Sequence, residues 1–208
     1  MKKIYKSRCI ALEMLTDRGF EIPEKENMDY DQFIEVYGED ETEVRKNMTI
    51  SFSKPTGIQI LVFWNYQIGI GDVQNINNEM ESRKIKHAIV IYHNKITSQA
   101  AATMKQLRVQ NMVIEIFHES SLQYNVTKSL KVPKHIICSK QKKEDILNAY
   151  NVTKEQIPQI KADDPVVKYY GAVRGQLIKI IRPSESVRFV GEDSDRKELY
   201  DISYRIVC

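Results

Sequence analysis

Three groups of residues in this chain have types and spacings that could do chemistry. The first is Gly69-Ile70-Gly71-Asp72, which begins like a glycine-rich phosphate loop. Such a loop needs a third glycine, or a Gly-Lys-Ser/Thr ending, to bring N–H groups and a cation onto phosphates. Neither follows, so these four residues are read as a turn. The second group is His87, His93, His118 and His135. His87 and His93 flank one predicted strand and His118 ends another, so these three could gather near one sheet edge. A metal would need carboxylate or thiolate company there. Glu119 is the only nearby carboxylate, and the histidines are read as surface or packing residues. The third group is the carboxylates of a possible phosphodiesterase. Two-metal cleavage needs several of them converging on one strand end, often with a lysine. The best core strand offers only Glu115, with no Glu-x-Lys, while Asp40 and Asp72 fall in predicted loops. Glu115 is therefore read as the polar-face residue of a strand. The chain has no H-E-x-x-H, no G-x-S-x-G and no zinc spacing. No catalytic residue, metal ligand or cofactor is expected.

The elements that would position these residues follow from periodicity and punctuation. Ile4, Cys9, Leu12 and Leu15 recur near helical spacing before Arg18-Gly19, which predicts a helix over 3–18. A second helix is predicted over 29–37, ended by Gly38. Residues 48–52 and 58–64 are β-rich, and Pro55 and Gly57 lie between them as a hairpin turn. Residues 86–92 and 112–117 read as buried strands. Thr97 or Ser98 caps a helix between them that runs to about Leu107. Strand, helix, strand with short connections is a parallel-type α/β unit. Further on, Ser139 caps a helix over 140–150. Thr153 and Gln156 have capping-box spacing, with Pro158 keeping any helix there short. Asp164 and Pro165 start a helix of about two turns before Gly171. Strands follow at 176–182 and 202–207. Residues 187–201 are crowded with charge and read as a solvated hairpin loop.

Composition sets the class. Of 208 residues, 42% are apolar and 28% charged, the proportions of an ordinary globular protein. The net charge of +3 is too small to predict nucleic-acid binding by itself. Cys9, Cys138 and Cys208 are odd in number and far apart, so neither a disulfide framework nor a zinc site is read. No signal-peptide core and no membrane-length apolar run is present, and the protein is expected to be soluble and intracellular, with no membrane partner. The expected division is 1–130 and 131–208.

One block goes further. Residues 163–185 read Asp-Asp-Pro-Val-Val-Lys-Tyr-Tyr-Gly-Ala-Val-Arg-Gly-Gln-Leu-Ile-Lys-Ile-Ile-Arg-Pro-Ser-Glu. Asp164, Pro165, Lys168, Tyr169 and Gly171, then Arg174 and Gly175, then Arg182, Pro183, Ser184 and Glu185 come in a defined order. Val132-Pro133-Lys134-His135 precedes the block, and Tyr204-Arg205 follows it. This pattern closely resembles the carboxy-terminal domain of the fifth-largest subunit shared by eukaryotic RNA polymerases I, II and III, a domain similar to a small subunit of the archaeal RNA polymerase. Asp17-Arg18-Gly19-Phe20, Phe33, Gly38 and the strand at 88–92 resemble the amino-terminal domain of the same family.

The resemblance implies a non-catalytic polymerase subunit. It implies an α/β amino-terminal jaw domain, with a nuclease-like fold lacking the active site, and a small α+β carboxy-terminal assembly domain. The assembly domain would pack on the largest subunit, through the motif residues just named together with Tyr204 and Arg205. The jaw domain would lie near downstream double-stranded DNA, in weak contact that reads no sequence. The family's jaw loop carries T-P-S-A, where this chain has Thr97-Ser98-Gln99-Ala100. Thr97, Ser98 and Gln99 could still donate to phosphates. A nuclear setting is implied, or a viral factory or virion for a copy encoded by a large DNA virus. Two other readings stay open at this point: a metal-dependent nuclease on the first domain, and a polymerase-associated adaptor.

Overall fold

The computed structural model describes residues 1–109, 111–183 and 200–208. These form two compact units, Met1–Asn125 and Val126–Cys208. Both are mixed α/β.

The first unit is built on a four-stranded sheet of order β1-β2-β3-β4. Its strands are β1 (Ile50–Ser53), β2 (Gln59–Asn65), β3 (His87–Tyr92) and β4 (Val113–His118). β1 and β2 form the expected hairpin. Lys54 N–H donates to Ile58 O at 2.8 Å, and Gly57 takes φ +82°, which suits a residue without a side chain. β2, β3 and β4 are mutually parallel. The connections are α4 (Ile70–Ser82) and α5 (Ser98–Val109), as a parallel sheet requires. Leu61, Phe63, Ala88, Val90 and Ile114 pack with Val73, Ile76, Met80, Ala100 and Met104 of these two helices. The alternate residues Ile60, Val62 and Trp64 are buried too. Trp64 Nε1 donates to Ser7 Oγ on α1 (Lys2–Asp17) at 3.3 Å. The central strand is thus covered on both faces, which is why its sequence is a continuous apolar run. α2 (Tyr30–Tyr37) carries an Asp29–Gln32 capping box and packs Phe33 between Tyr5 and Tyr37.

Two helices here escape the sequence reading. α3 (Glu41–Asn47) is a two-turn helix capped by Asp40, whose carboxylate accepts from the N–H groups of Thr42 and Glu43. α4 begins inside the segment read as a turn. Gly69 is its N-cap, and Asp72 reaches back to the Gly69 N–H at 2.7 Å. Asp40 and Asp72 therefore do local capping. Both satisfy helix-end donors that would otherwise lack partners.

The second unit has a sheet of order β5-β7-β8-β6, from β5 (Lys134–Ile137), β6 (Gln159–Ile160), β7 (Leu177–Pro183) and β8 (Tyr200–Val207). Within this sheet only β6 and β8 pair in parallel. Alternation along β7 assigns its two faces. Leu177 packs with Cys138, Ile146, Ile157 and Ile206, and Ile146 belongs to α6 (Lys140–Tyr150). Ile178 and Ile180 pack with Val167 of α7 (Pro165–Tyr169) and with Val207. Ser139 caps α6 as expected, accepting from the Lys142 N–H. α7 is a single turn and a half, shorter than predicted. Residues 153–156 make a turn and not a helix. Gln156 Oε1 accepts from the Thr153 N–H, but Pro158 and the sheet take over at once. The charged stretch 187–201 lies outside the described residues but for Tyr200 and Asp201, which open β8.

Candidate functional site

The carboxyl ends of β2 and β3 are where an open parallel sheet presents its loops. Here the two loops are zipped together. Asn94 N–H donates to Tyr66 O, Ile68 N–H to Lys95 O, and Thr97 N–H to Ile68 O, at 2.8 to 3.0 Å. Tyr66 stacks on His93 with ring centroids 5.4 Å apart and is itself more than half exposed. Thr97 stands at the start of α5, and its Oγ1 accepts from the Ala100 N–H at 3.2 Å. Ser98 and Gln99 follow in the first turn. Thr97, Ser98, Gln99 and Lys95 are all exposed, while Ala100 is buried against the core. All three loop side chains are thus exposed at the helix start, and that of Thr97 also serves as its cap.

The acidic groups that could have made a metal centre are each engaged by a cation. Glu119, just past β4, is 2% exposed and accepts from Arg45 Nη2 at 2.6 Å, with His93 Nδ1 at 3.6 Å. At the other end of the sheet, Glu115 accepts both arms of the Arg18 guanidinium at 2.9 and 2.8 Å. It also meets His87 Nε2 at 2.6 Å. Burial would push the Glu115 carboxyl up, but the hydrogen bond from His87 and the charge and fork of Arg18 outweigh it and hold the group at about 2. A carboxylate held in a bidentate arginine pair, with an imidazole on the same oxygen, has little accepting capacity left for a metal. Among the described residues, no three His, Cys, Asp or Glu side chains are grouped to hold an ion. The histidines do not gather at one edge. Tyr92 pairs with His118 in register, so His93 and His118 share the carboxyl end, while His87 opens β3 at the opposite end. Parallel strands of six residues separate the two by roughly 17–20 Å.

In the second unit the motif residues divide by role. Asp164 caps α7, accepting from the Val166 and Val167 N–H groups at 2.9 and 3.3 Å, and Pro165 fills the first helical position. Tyr169 is 3% exposed and meets Tyr170 edge-on, and Lys168 is half-buried and engaged. Gly171 and Gly175 take φ +65° and +86° and turn the chain into β7, where Gly175 N–H donates to Val207 O. These residues build the unit. The charged and exposed ones are spread out. Arg174 is exposed before β7 begins, and Arg182 and Pro183 are exposed where it ends. Five residues of strand, roughly 17 Å, lie between the two arginines. Tyr204 and Arg205 lie on β8, and Arg205 Nη1 donates to Gln159 O at 3.0 Å. Ser184 and Glu185 lie outside the described residues.

Sequence reasoning missed the buried ion pairs. Arg8 could have been suspected, since it sits at i+4 from Ile4 in the apolar stripe of α1. It is fully buried and donates to Glu26 O at 2.8 Å and to the Glu26 carboxylate. Arg45 and Glu119 carry no such signal.

Together, these features define a class: a two-unit mixed α/β protein whose buried charges are paired for structure and whose exposed polar groups lie on loops and strand ends. Comparison with known proteins makes this specific. Residues 1–112 match the family described as RNA polymerase Rpb5, N-terminal domain, and residues 124–190 match RNA polymerase Rpb5, C-terminal domain. A Caenorhabditis briggsae protein named DNA-directed RNA polymerases I, II, and III subunit RPABC1 is 30% identical over 192 residues, covering 88% of this chain and 90% of that protein. Its Dictyostelium discoideum counterpart is also 30% identical, covering 89% and 93%. An Arabidopsis thaliana protein, DNA-directed RNA polymerase subunit 5-like protein 1, is 31% identical over 187 residues, covering 86% and 89%. The chain belongs to the RNA polymerase Rpb5 family, whose members are non-catalytic subunits of DNA-directed RNA polymerase.

Proposed function

We propose that this protein is a stoichiometric structural subunit of a nuclear DNA-directed RNA polymerase, with its second unit anchored on the largest subunit and its first unit forming part of the lower jaw beside downstream DNA. The observation that carries this reading is that both family domains match in order along one chain, at 30% identity across nearly the whole length of relatives named as polymerase subunits. The pairing of Glu115 with Arg18 and of Glu119 with Arg45 accords with a scaffold more than with a metal-dependent nuclease.

The jaw role draws on the loop at the carboxyl ends of β2 and β3. Ser98 and Gln99 offer exposed donors at a helix start, and Lys95 adds a cation beside them. Donors of this kind meet phosphate oxygens and position a duplex without reading its bases.

The test is recovery of the tagged chain from its native source at high salt, with stoichiometry by quantitative mass spectrometry. One copy per largest subunit is expected. Recovery in traces would favour an adaptor that visits the enzyme. For the loop, Ser98→Ala with Gln99→Ala should leave assembly unchanged and weaken downstream-duplex retention about two- to five-fold in salt-challenge assays, the size expected for losing one or two neutral hydrogen bonds. Thr97 is kept, because its hydroxyl caps α5. Loss of assembly in this double variant would put the loop in a protein interface instead.

A further inference from the structure

A groove of about 660 Å³ runs beside α6 in the second unit. Leu177 and Cys138 are buried in it, Leu147 is half-buried, and Val173 is 58% exposed at its margin. Lys140, Lys143, Lys154 and Arg174 also line it, against Glu144 and Glu155, an excess of two positive charges.

The placement of the lysines runs against local energetics. The first turn of a helix favours acidic side chains, because the backbone N–H groups there already carry positive charge. The first turn of α6 has no acidic residue and instead holds Lys140, Lys142 and Lys143. One of the three has a local task, since Lys143 Nζ donates to Gly175 O at 2.8 Å across the groove. A sequence that breaks a local rule at a concave, partly apolar surface points to compensation from outside the unit. Among the described residues the lining contains no aromatic ring, so they offer nucleic-acid bases no stacking platform.

We infer that this groove receives an extended acidic segment of another polymerase chain, with one apolar side chain seated against Leu147 and Val173 and carboxylates meeting Lys140, Lys154 and Arg174. The inference rests on the assembly reading above and names the surface and the chemistry of the partner. The apolar floor provides the anchor, and the cations around it select the sign of the flanking charge and speed encounter.

The experiment uses the full-length chain co-expressed with the polymerase. A benzophenone amino acid replaces Val173, and the cross-linked segment is sequenced by mass spectrometry. In parallel, Lys140→Glu with Arg174→Glu is compared with the charge-conserving Lys140→Arg with Arg174→Lys, by co-purification at rising salt. Both positions are exposed, and Lys143 is spared, so the fold should be kept. Glutamate at position 140 should if anything favour α6. The expected result is a cross-link to an acidic segment, about ten-fold lower retention of the charge-reversed variant, and wild-type retention of the conservative one. A cross-link to a basic or neutral segment overturns the inference, as does equal retention of the reversed variant. If the reversed variant fails to fold, the cross-link result decides alone. If the unaltered chain does not co-purify with polymerase at all, the assembly reading fails first, and that outcome is distinct.

Discussion

Replacing Glu115 by Gln tests whether the buried ion pairs hold the first unit together. Arg18 is 4% exposed and Glu115 17% exposed at their side chains, so neither is well solvated. Glutamine keeps the shape but removes the counter-charge that Glu115 gives the guanidinium. The carboxyl is lowered from its ordinary 4.5 to about 2, a difference that corresponds to roughly 3 kcal/mol of stabilisation at neutral pH. Breaking a buried pair by removing one partner typically costs about 3–5 kcal/mol, which agrees. Because the folded-state value lies below the unfolded one, this contribution is complete above about pH 4.5 and fades as the pH falls through about 2. The assay is urea unfolding followed by Trp64 fluorescence. Trp64 is the only tryptophan and is 2% exposed within the first unit, so it reports that unit alone. The variant should lose about 3 kcal/mol at pH 7, and the gap to wild type should close steadily between about pH 4.5 and 2.5. A loss below about 1 kcal/mol, or a gap that does not change with pH, would refute the assignment of the stability to this carboxylate. A cycle with Arg18→Met should show a coupling of more than about 1 kcal/mol.

Two further outcomes follow from the same geometry. Glu119→Gln should cost about 3 kcal/mol by the same fluorescence assay, because Glu119 supplies the one hydrogen bond that the Arg45 guanidinium makes among the described residues; an effect under about 1 kcal/mol would mean that water already serves Arg45. Asp164→Ala removes the cap of α7 and should cost about 1 kcal/mol, with faster amide exchange at Val166 and Val167 than at Ile178 or Ile180; unchanged exchange at those two amides would show that the cap is not what holds the turn.

Much of the fold was legible because its signals are local. Asp164-Pro165 before an apolar pair, Ser139 before α6, and Pro55 with Gly57 between two β-rich runs each state their geometry within a few residues. α4 was not read, although Val73, Ile76 and Met80 recur at helical spacing, because Gly69 and Gly71 drew the start of the segment toward a turn. β6 carries no readable signal, because a two-residue strand exists only through its pairing with Ile206 and Val207.

The sequence by itself determined the family resemblance, the alternation of strands and helices, and the caps and turns that start and stop them. These depend on side chains acting on their own stretch of backbone. Only the tertiary structure decided what the charges do. Arg18 and Glu115 are 97 positions apart, and Arg45 and Glu119 are 74 apart. Nothing near any of these residues announces a partner, because an ion pair is specified by where the sheet brings two side chains and by the exclusion of water around them. Glu115, read from its strand as a polar-face residue, proved to be the carboxylate that ties α1 to β3 and β4. The same holds for the groove beside α6, where lysines that look like an ordinary solvated face acquire meaning from the apolar surface that folding sets beside them.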